Sequence, residues 1–316
     1  MKRPLVLGIL FAAGALTMSV NALQQAPASG QPAARVVEVD KLKDNLYMMR
    51  GGGGNSAVFI TSTGVVVVDT KNPGWGQPLL DKIKTVTDKP ITMIINTHTH
   101  GDHVSGNVEF PATVEVVTHA NTAKNMQEMR TPSGITPAPG TPANIFKDNN
   151  GRGLPKKTFT DKMKIGKGAD QIDLYYFGRG HTNGDAWVVF PALRFMHAGD
   201  IFSGKNIPLL DAVNGSSGVE IGKTLAKAAA SVKNVDSIIT GHSTVMTMAD
   251  LREYAQFNDE FANAVREAKK KGGTVDEFAK MWKLPAQYKG YADPQAAQAG
   301  QTRLLTNARI VWDEVK

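Results

Sequence analysis

The stretch Thr97-His98-Thr99-His100-Gly101-Asp102-His103 decides how this chain is interpreted. It places three imidazoles and one carboxylate close together, although only seven histidines occur in 316 residues. The apolar run at residues 91–96 comes before it and is typical of a buried strand, so the stretch lies on a loop that leaves a strand. In an extended segment the first two histidines point the same way, whereas a turn at the glycine directs the aspartate and the third histidine elsewhere. The stretch therefore predicts a metal site with room for two ions.

Four further side chains that can bind a metal follow apolar runs elsewhere in the chain. Each run is typical of a buried strand, and the side chain comes at its carboxyl end or shortly after it. A sheet that delivers these strand ends to one edge would bring the side chains together. The pairs are residues 65–68 with Asp69, residues 172–177 with His181, residues 193–198 with Asp200, and residues 238–239 with His242.

With these motifs in this order, the chain resembles the metallo-β-lactamase superfamily over roughly residues 45–250. The resemblance implies an α+β fold, a four-layer αββα sandwich of the metallo-β-lactamase type, and two Zn2+ ions per chain. The implied ligands are His98, His100 and His181 for the first ion, Asp102, His103 and His242 for the second, and Asp200 as the bridge between them. Asp69 has no metal in that pattern, and we expect it to accept a ring N–H from a ligand histidine.

The implied chemistry is hydrolysis by a metal-activated water. Zinc lowers the pKa of a bound water to about 7, so no side-chain nucleophile is needed. Asp102 is the candidate catalytic residue, because a ligated carboxylate beside that hydroxide can orient it and carry its proton. Imidazole and carboxylate ligands without sulfur fit zinc, and manganese and iron are compatible with the same ligand types.

The substrate predicted first is a cyclic amide or ester, with a β-lactam as the named example. Lys205, close after the bridging aspartate, is the candidate contact for a substrate carboxylate. Ser203 occupies the position where acyl-homoserine lactonases of the superfamily have a tyrosine, which counts against a lactonase. The alternatives are a thioester or lactone hydrolase (glyoxalase II-like or lactonase-like), a mononuclear iron persulfide dioxygenase, and a metal-binding protein without catalysis. Two zinc ions per chain would favour hydrolysis, and one iron would favour oxygen chemistry.

The amino-terminal sequence predicts export. A basic start, an apolar stretch at residues 5–20 and small residues around Ala22 are typical of a signal peptide. The predicted organisation is a signal peptide at residues 1–22, a linker at 23–36, the hydrolase domain at 37–271 and a helical appendage at 272–316. We expect a periplasmic or secreted protein with no stable membrane anchor after cleavage. Because the chain contains no cysteine, the core and the metals must hold the fold without disulfides.

The resemblance implies a small-molecule substrate, and the charge pattern gives no indication of a nucleic-acid partner. The formal charge is +7, and the basic residues are scattered apart from Lys269-Lys270-Lys271. Such a run is more typical of a solvated helix end than of a nucleic-acid surface. The oligomeric state is not predicted.

Two irregular segments are candidates for loops around the site. The four glycines at residues 51–54 join two predicted strands and form either a mobile hairpin tip or a flap over the site. Residues 130–157 contain five prolines and four glycines. Loops of this length are uncommon inside a compact domain, so this segment is either a lid that shapes the substrate site or an excursion from the fold. As a lid, it would tolerate deletion of residues 134–149 without loss of fold or metals.

Overall fold

The computed structural model describes residues 34–137 and 139–316. Residues Arg35–Lys316 form one compact unit. The predicted signal peptide and most of the predicted linker lie outside the described residues. Among the described residues, no helix has both the length and the apolar composition needed to cross a bilayer.

The first sheet contains seven strands in sequence order. Strands β1 to β4 are antiparallel neighbours, and β4 to β7 run parallel. Parallel strands are covered on both faces, which explains the unbroken valine run of β4. The strands are β1 (Glu38–Lys43), β2 (Leu46–Arg50), β3 (Ser56–Ile60), β4 (Val65–Val68), β5 (Ile91–Asn96), β6 (Glu115–His119) and β7 (Lys157–Phe159).

The second sheet contains six strands in the order β13-β12-β11-β10-β9-β8. Only β11 and β12 pair in parallel. β10 and β11 form an antiparallel pair, with Val188 opposite His197. The strands are β8 (Lys162–Ile165), β9 (Ile172–Tyr175), β10 (Trp187–Phe190), β11 (Phe195–Gly199), β12 (Ser237–Thr240) and β13 (Met246–Thr247).

Helices cover the outer face of each sheet, and an apolar core fills the space between the sheets. Val66 and Val68 face this inner core, where Phe59 and Phe190 lie 5.1 Å apart between ring centroids. Val65 and Val67 face outward against α1, as the period of two in a strand requires. The predicted αββα sandwich is confirmed. The helices are α1 (Gly76–Lys84), α2 (Gly101–Val104), α3 (Ala120–Glu128), α4 (Ile145–Asp148), α5 (Ile221–Ser231), α6 (Met248–Lys270), α7 (Val275–Met281) and α8 (Gln298–Glu314).

The carboxyl-terminal helices pack against α6. Phe261 and Val265 of α6 share an apolar cluster with Phe278 of α7 and with Leu304 and Val311 of α8. Capping boxes begin both α6 and α7, where the sequence has a threonine followed three positions later by an acidic residue. Apolar side chains of the segment after residue 271 are therefore buried against α6. The predicted domain boundary at residue 272 stays a prediction.

The segment at residues 130–157 contributes to the core, which corrects the prediction that most of it can be deleted. Asn144 caps the short helix α4 by accepting hydrogen bonds from two backbone amides. Phe146 follows and is fully buried against Val104 and Met126, beneath the loop that carries the first histidines. Deleting residues 134–149 would leave a cavity the size of a phenyl ring there, and such cavities cost about 3–5 kcal/mol.

Candidate metal centre

The centre is built where β4 and β5 end side by side. Asp69 follows β4 in a left-handed conformation with φ of 61°. Its carboxylate accepts hydrogen bonds from the amide of Thr97 at 2.8 Å and from the Thr97 hydroxyl at 2.7 Å. These bonds tie the end of β4 to the loop that leaves β5. α2 then begins at Gly101 and turns the chain, as the sequence predicts for this glycine.

The first group of side chains contains His98, His100, His181 and Asp200. Each offers one nitrogen or oxygen atom, and these atoms lie within 4.8 Å of one another. Nδ1 of His100 lies 3.0 Å from Nε2 of His181. All four residues are buried. These are the residues predicted to hold the first ion and its bridge.

The second group contains Asp102, His103 and His242. Nε2 of His242 lies 3.2 Å from Oδ2 of Asp102 and 3.1 Å from Oδ2 of Asp200. Nε2 of His103 lies 3.2 Å from Oδ1 of Asp200. Asp200 therefore stands between the two groups and contacts both. Gly241 is required here, because an added Cβ would lie within bonding distance of Oδ1 of Asp200.

In three of the buried rings, the nitrogen that faces away from the centre has a hydrogen-bond partner. Nδ1 of His103 lies 2.7 Å from Oδ2 of Asp69. Nε2 of His100 lies 2.8 Å from Oδ2 of Asp211, and Nδ1 of His181 lies 2.5 Å from the carbonyl of Leu209. An acceptor at one ring nitrogen places the proton there and leaves the lone pair on the other.

The atoms that face the centre are suited to a cation. Nε2 of His98 is buried and makes no hydrogen bond among the described residues, while Nδ1 of the same ring lies 2.9 Å from the hydroxyl of Thr97. Oδ1 of Asp200 also accepts no well-directed hydrogen bond there, although Nε2 of His103 lies 3.2 Å away. Burial and three neighbouring imidazoles hold the pKa of His98 well below its usual range, and burial lowers the pKa of His181 to about 4. Neutral rings with inward lone pairs are what metal binding needs.

The second group is organised by charge. Burial by itself would raise the pKa of Asp102, but the charge of His103 and the hydrogen bond from His242 outweigh it and lower that pKa to about 2. Burial opposes the protonation of His242, but Asp200 and Asp102 raise its pKa to about 9. The carboxylates therefore attract positive charge to this point, and a divalent cation would replace protons there.

The glycines at residues 51–54 lie against the second group and are held in place. The amide of Gly54 donates to the carbonyl of Asp102 at 3.1 Å, and the amide of Asn72 donates to the carbonyl of Gly52 at 2.9 Å. A Cβ on Gly54 would lie 2.1 Å from Cε1 of His103. Of the two predictions for this segment, the geometry favours a fixed cover over the site rather than a mobile tip.

Lys71 secures the same segment from beneath. Its side chain is fully buried, and Nζ donates to the carbonyls of Met49 and Gly54, both at 2.6 Å. Burial lowers the pKa of Lys71 to about 7, although the nearby carboxylates of Asp69 and Asp102 partly oppose this. Sequence reasoning missed this residue, because an isolated lysine is normally exposed.

Lys205 does not present a free charge to the centre. The sequence predicts that it binds a substrate carboxylate, but its ammonium lies 2.9 Å from Asp250 and 3.0 Å from Glu253 of α6. Both acidic groups compensate its charge, so this geometry gives the predicted role no support.

The remaining two histidines have structural partners. Nε2 of His119 lies 2.9 Å from the carbonyl of Thr160, and its ring stacks on Tyr176. Nε2 of His197 lies 3.0 Å from the carbonyl of Asn55 beneath the site. Sequence reasoning also missed Asp211, for which neither a strand-end pattern nor a motif gives a signal.

The fold and the two side-chain groups define a class of protein, and comparison with known proteins assigns the family. The model of the Metallo-beta-lactamase superfamily matches residues 49–285. The chain belongs to this superfamily of hydrolytic metalloenzymes.

Individual relatives agree with the assignment. A metallo-beta-lactamase type 2 from Elizabethkingia meningoseptica is 29% identical over 180 residues, which are 52% of this chain and 62% of that protein. The chain thus spans less than two-thirds of that relative. The structure of a metallo-beta-lactamase from Pontibacter korlensis has a TM-score of 0.56 at 20% identity and covers 71% of this chain and 99% of its own. The sec-alkylsulfatase Pisa1 from Pseudomonas sp. has a TM-score of 0.63 at 15% identity and covers 88% of this chain and 50% of its own.

Proposed function

We propose that this protein is a dizinc hydrolase that cleaves a cyclic amide or ester, and that a β-lactam is the first substrate to test. The observation that carries the proposal is the sharing of Asp200 between two groups of metal-binding side chains. A carboxylate that two such groups share is suited to two adjacent ions. A single ion would leave the side chains of one group without a metal to bind.

The proposed ligands divide as the groups divide. His98, His100 and His181 would hold one ion through the ring nitrogens that face the centre. Asp102, His103 and His242 would hold the other, with Asp200 between them. Bound zinc supplies a water with a pKa of about 7 and an electrophile for a carbonyl oxygen.

Asp102 is the proposed catalytic carboxylate. Its side chain is 29% exposed, whereas that of His103 beside it is fully buried, so Asp102 can reach both the centre and an arriving substrate. With a pKa of about 2 it is ionised at neutral pH. It can therefore accept a hydrogen bond from the attacking water, hold that water in position and receive its proton.

Amide or ester hydrolysis is preferred over the alternatives for two reasons. The relative from Elizabethkingia, which is 29% identical over 180 residues, is named a metallo-beta-lactamase. Ser203 donates a hydrogen bond to Asn206 and has no phenol with which to fill the place of a lactonase tyrosine. A thioester or lactone hydrolase is the alternative within the same chemistry, and an iron persulfide dioxygenase is the alternative outside it.

A substrate panel and a metal count test the proposal together. The protein would be purified with its native metal, and its metal content would be measured by mass spectrometry. It would then be assayed against a penicillin, a cephalosporin, a homoserine lactone, an acyl thioester, a secondary alkyl sulfate and, in the presence of oxygen, a persulfide. We expect two zinc ions per chain and turnover of a β-lactam that is lost in His98→Ala. One iron per chain with oxygen-dependent turnover of a persulfide would refute the hydrolase. Turnover of only the thioester or lactone would move the substrate to the alternative.

We also propose that the protein is exported and processed after Ala22. The basic start and apolar stretch of the sequence support this. Intact mass of the protein recovered from a periplasmic fraction tests it, and retention of Met1 would contradict it.

A further inference from the structure

Residues 208–211 support two of the three histidines that are proposed to hold the first ion. The carbonyl of Leu209 is the partner of Nδ1 of His181 at 2.5 Å. Oδ2 of Asp211 is the partner of Nε2 of His100 at 2.8 Å. The backbone amide of Asp211 also donates to the carbonyl of His181 at 3.1 Å. A shift of this short segment would therefore move the acceptors of both rings together.

One side chain of α8 fixes the backbone of this segment. The amide nitrogen of Asn307 donates to the carbonyl of Pro208 at 2.7 Å, and its oxygen accepts from the backbone amide of Leu210 at 3.3 Å. These two bonds flank Leu209 on both sides, so they limit the directions in which its carbonyl can point. An asparagine offers a donor and an acceptor side by side, as this pair of backbone groups requires.

The position of Asn307 in α8 is unusual for a polar residue. Its side chain is fully buried, and it lies beside Leu304 and Val311, which pack against α6 and α7. A buried amide lowers stability unless its hydrogen bonds are made. A residue that served only to pack α8 would be apolar, so the amide is explained by the two backbone groups that it binds.

A second contact joins the end of α8 to the chain around His181. The carboxylate of Glu314 accepts from the hydroxyl of Ser217 at 3.1 Å and from the amide of Val219 at 3.0 Å. The amide of Ser217 donates to the carbonyl of Gly180, the residue before His181, at 3.1 Å. The helix therefore supports His181 from two places, although it follows every proposed ligand in the chain.

We propose that α8 determines the geometry of the first metal position, with Asn307 as the positioning residue. Asn307 holds residues 208–211 so that their two acceptors keep the protons of His181 and His100 on the nitrogens that face away from the centre. The lone pairs of both rings then face the centre before a cation arrives, and less ordering is needed when it binds. The inference rests on the proposed function only in assigning zinc to this centre, and it gives the predicted helical appendage a role in the site.

Three variants separate this role from a general effect on stability. Asn307→Leu removes both hydrogen bonds with little change in volume. Asn307→Asp keeps the shape and the acceptor for Leu210 but loses the donor to Pro208. Phe278→Ala is the matched control, because it opens a cavity in the apolar cluster that α8 shares with α7 and leaves the hydrogen bonds of residues 208–211 in place. If Asn307→Leu does not fold, Asn307→Asp carries the same comparisons.

The first measurement uses metal-free protein with 15N in its histidine rings. Nuclear magnetic resonance would follow exchange of the Nδ1 proton of His181 with solvent, and loss of the signal in His181→Ala assigns it. We expect Asn307→Leu to speed this exchange at least tenfold, because two hydrogen bonds that hold its acceptor are lost, and Phe278→Ala to stay closer to wild type. Wild-type exchange in Asn307→Leu would overturn the positioning role, whichever metal the protein binds.

The second measurement is competition for zinc with a chromophoric chelator, in which His98→Ala identifies the step of the first ion. We expect Asn307→Leu to weaken that step about tenfold, the lower end of the range for losing a direct partner of a ligand histidine, and to weaken the other step less. Equal weakening of both steps, or the same weakening in Phe278→Ala, would overturn the inference. If no zinc binds, the proposed function fails, while exchange of the His181 proton still decides the role of Asn307.

Discussion

Replacing Asp69 by Asn should weaken the second metal position more than the first, because Asp69 contacts His103 directly but reaches His98 only through Thr97. Asparagine has the same shape and tolerates the left-handed backbone of this residue, so the chain path is retained. The carboxylate accepts three hydrogen bonds, two from Thr97 and one from Nδ1 of His103. An asparagine amide has one accepting oxygen and one donating nitrogen. It therefore cannot accept hydrogen bonds from both Thr97 and His103 as the two carboxylate oxygens do.

The magnitude follows from the lost acceptor at the ring. If the amide group faces Nδ1 of His103, that nitrogen must present its lone pair, and the ring proton moves to Nε2, the atom that faces the second group. Changes at such supporting carboxylates typically weaken metal affinity 10- to 100-fold, or about 1.4–2.8 kcal/mol. The buried donors left without an acceptor should also lower the free energy of unfolding by about 1–3 kcal/mol.

Competition with a chromophoric zinc chelator would measure the two dissociation steps. His98→Ala and His242→Ala assign each step, because each removes a ligand from one group. Asp211→Asn is the matched variant, since Asp211 supports His100 in the other group. We expect Asp69→Asn to weaken the step that His242→Ala removes, and Asp211→Asn to weaken the other. Wild-type affinity at both steps in Asp69→Asn, or equal weakening of both, would refute the assignment of Asp69 as the support of His103.

Three further predictions concern the surroundings of the centre. Gly54→Ala should displace His103 and lower zinc content and kcat/KM at least tenfold, because the added methyl has no room. The control Gly273→Ala, just after α6, should match wild type. A fully zinc-loaded and active Gly54→Ala protein would contradict this prediction. Phe146→Ala should lower the free energy of unfolding in urea by about 3–5 kcal/mol, and a loss below about 1 kcal/mol would show that residues 130–157 add little to the core. Lys71 has its pKa lowered from 10.5 to about 7 in the fold, so between these values the unfolded chain binds a proton that the folded chain has lost. The free energy of unfolding should therefore rise from pH 7 to 10, by at most about 1.4 kcal/mol per unit, and a rise that persists in Lys71→Met would exclude this lysine as its source.

Many features of the centre are readable in the sequence because they are local. The first three histidines and Asp102 are adjacent in the chain, and the distant ligands all follow β-branched or apolar runs, so a rule about strand ends predicts that they meet. Helix α5 is also local in origin, because Ile221, Leu225 and Ala228 are buried apolar residues at helical spacing. Asp69 belongs to the same class, since it closes the valine run of β4, and the structure places its carboxylate against His103.

Other residues have no local signal, because their environment is made by segments far apart in the chain. Lys71 is buried beneath the glycine segment, and its ammonium donates to carbonyls 17 and 22 positions away. Asp211 reaches His100 across 111 positions. The composition of residues 130–157 does not show that Phe146 is buried. A proline-rich segment can either pack against a core or extend away from it.

The sequence by itself determined the class of fold and the candidate ligands, since strand periodicity and motif order survive in one dimension. Only the tertiary structure decided how the lysine that follows the bridging aspartate is used. Lys205 lies close to Asp200 in the chain, but the packing of α6 against its loop brings two carboxylates to its ammonium. Coulomb energy depends on distance in space and on the partners within a few ångströms, and neither quantity can be read from separation along the chain.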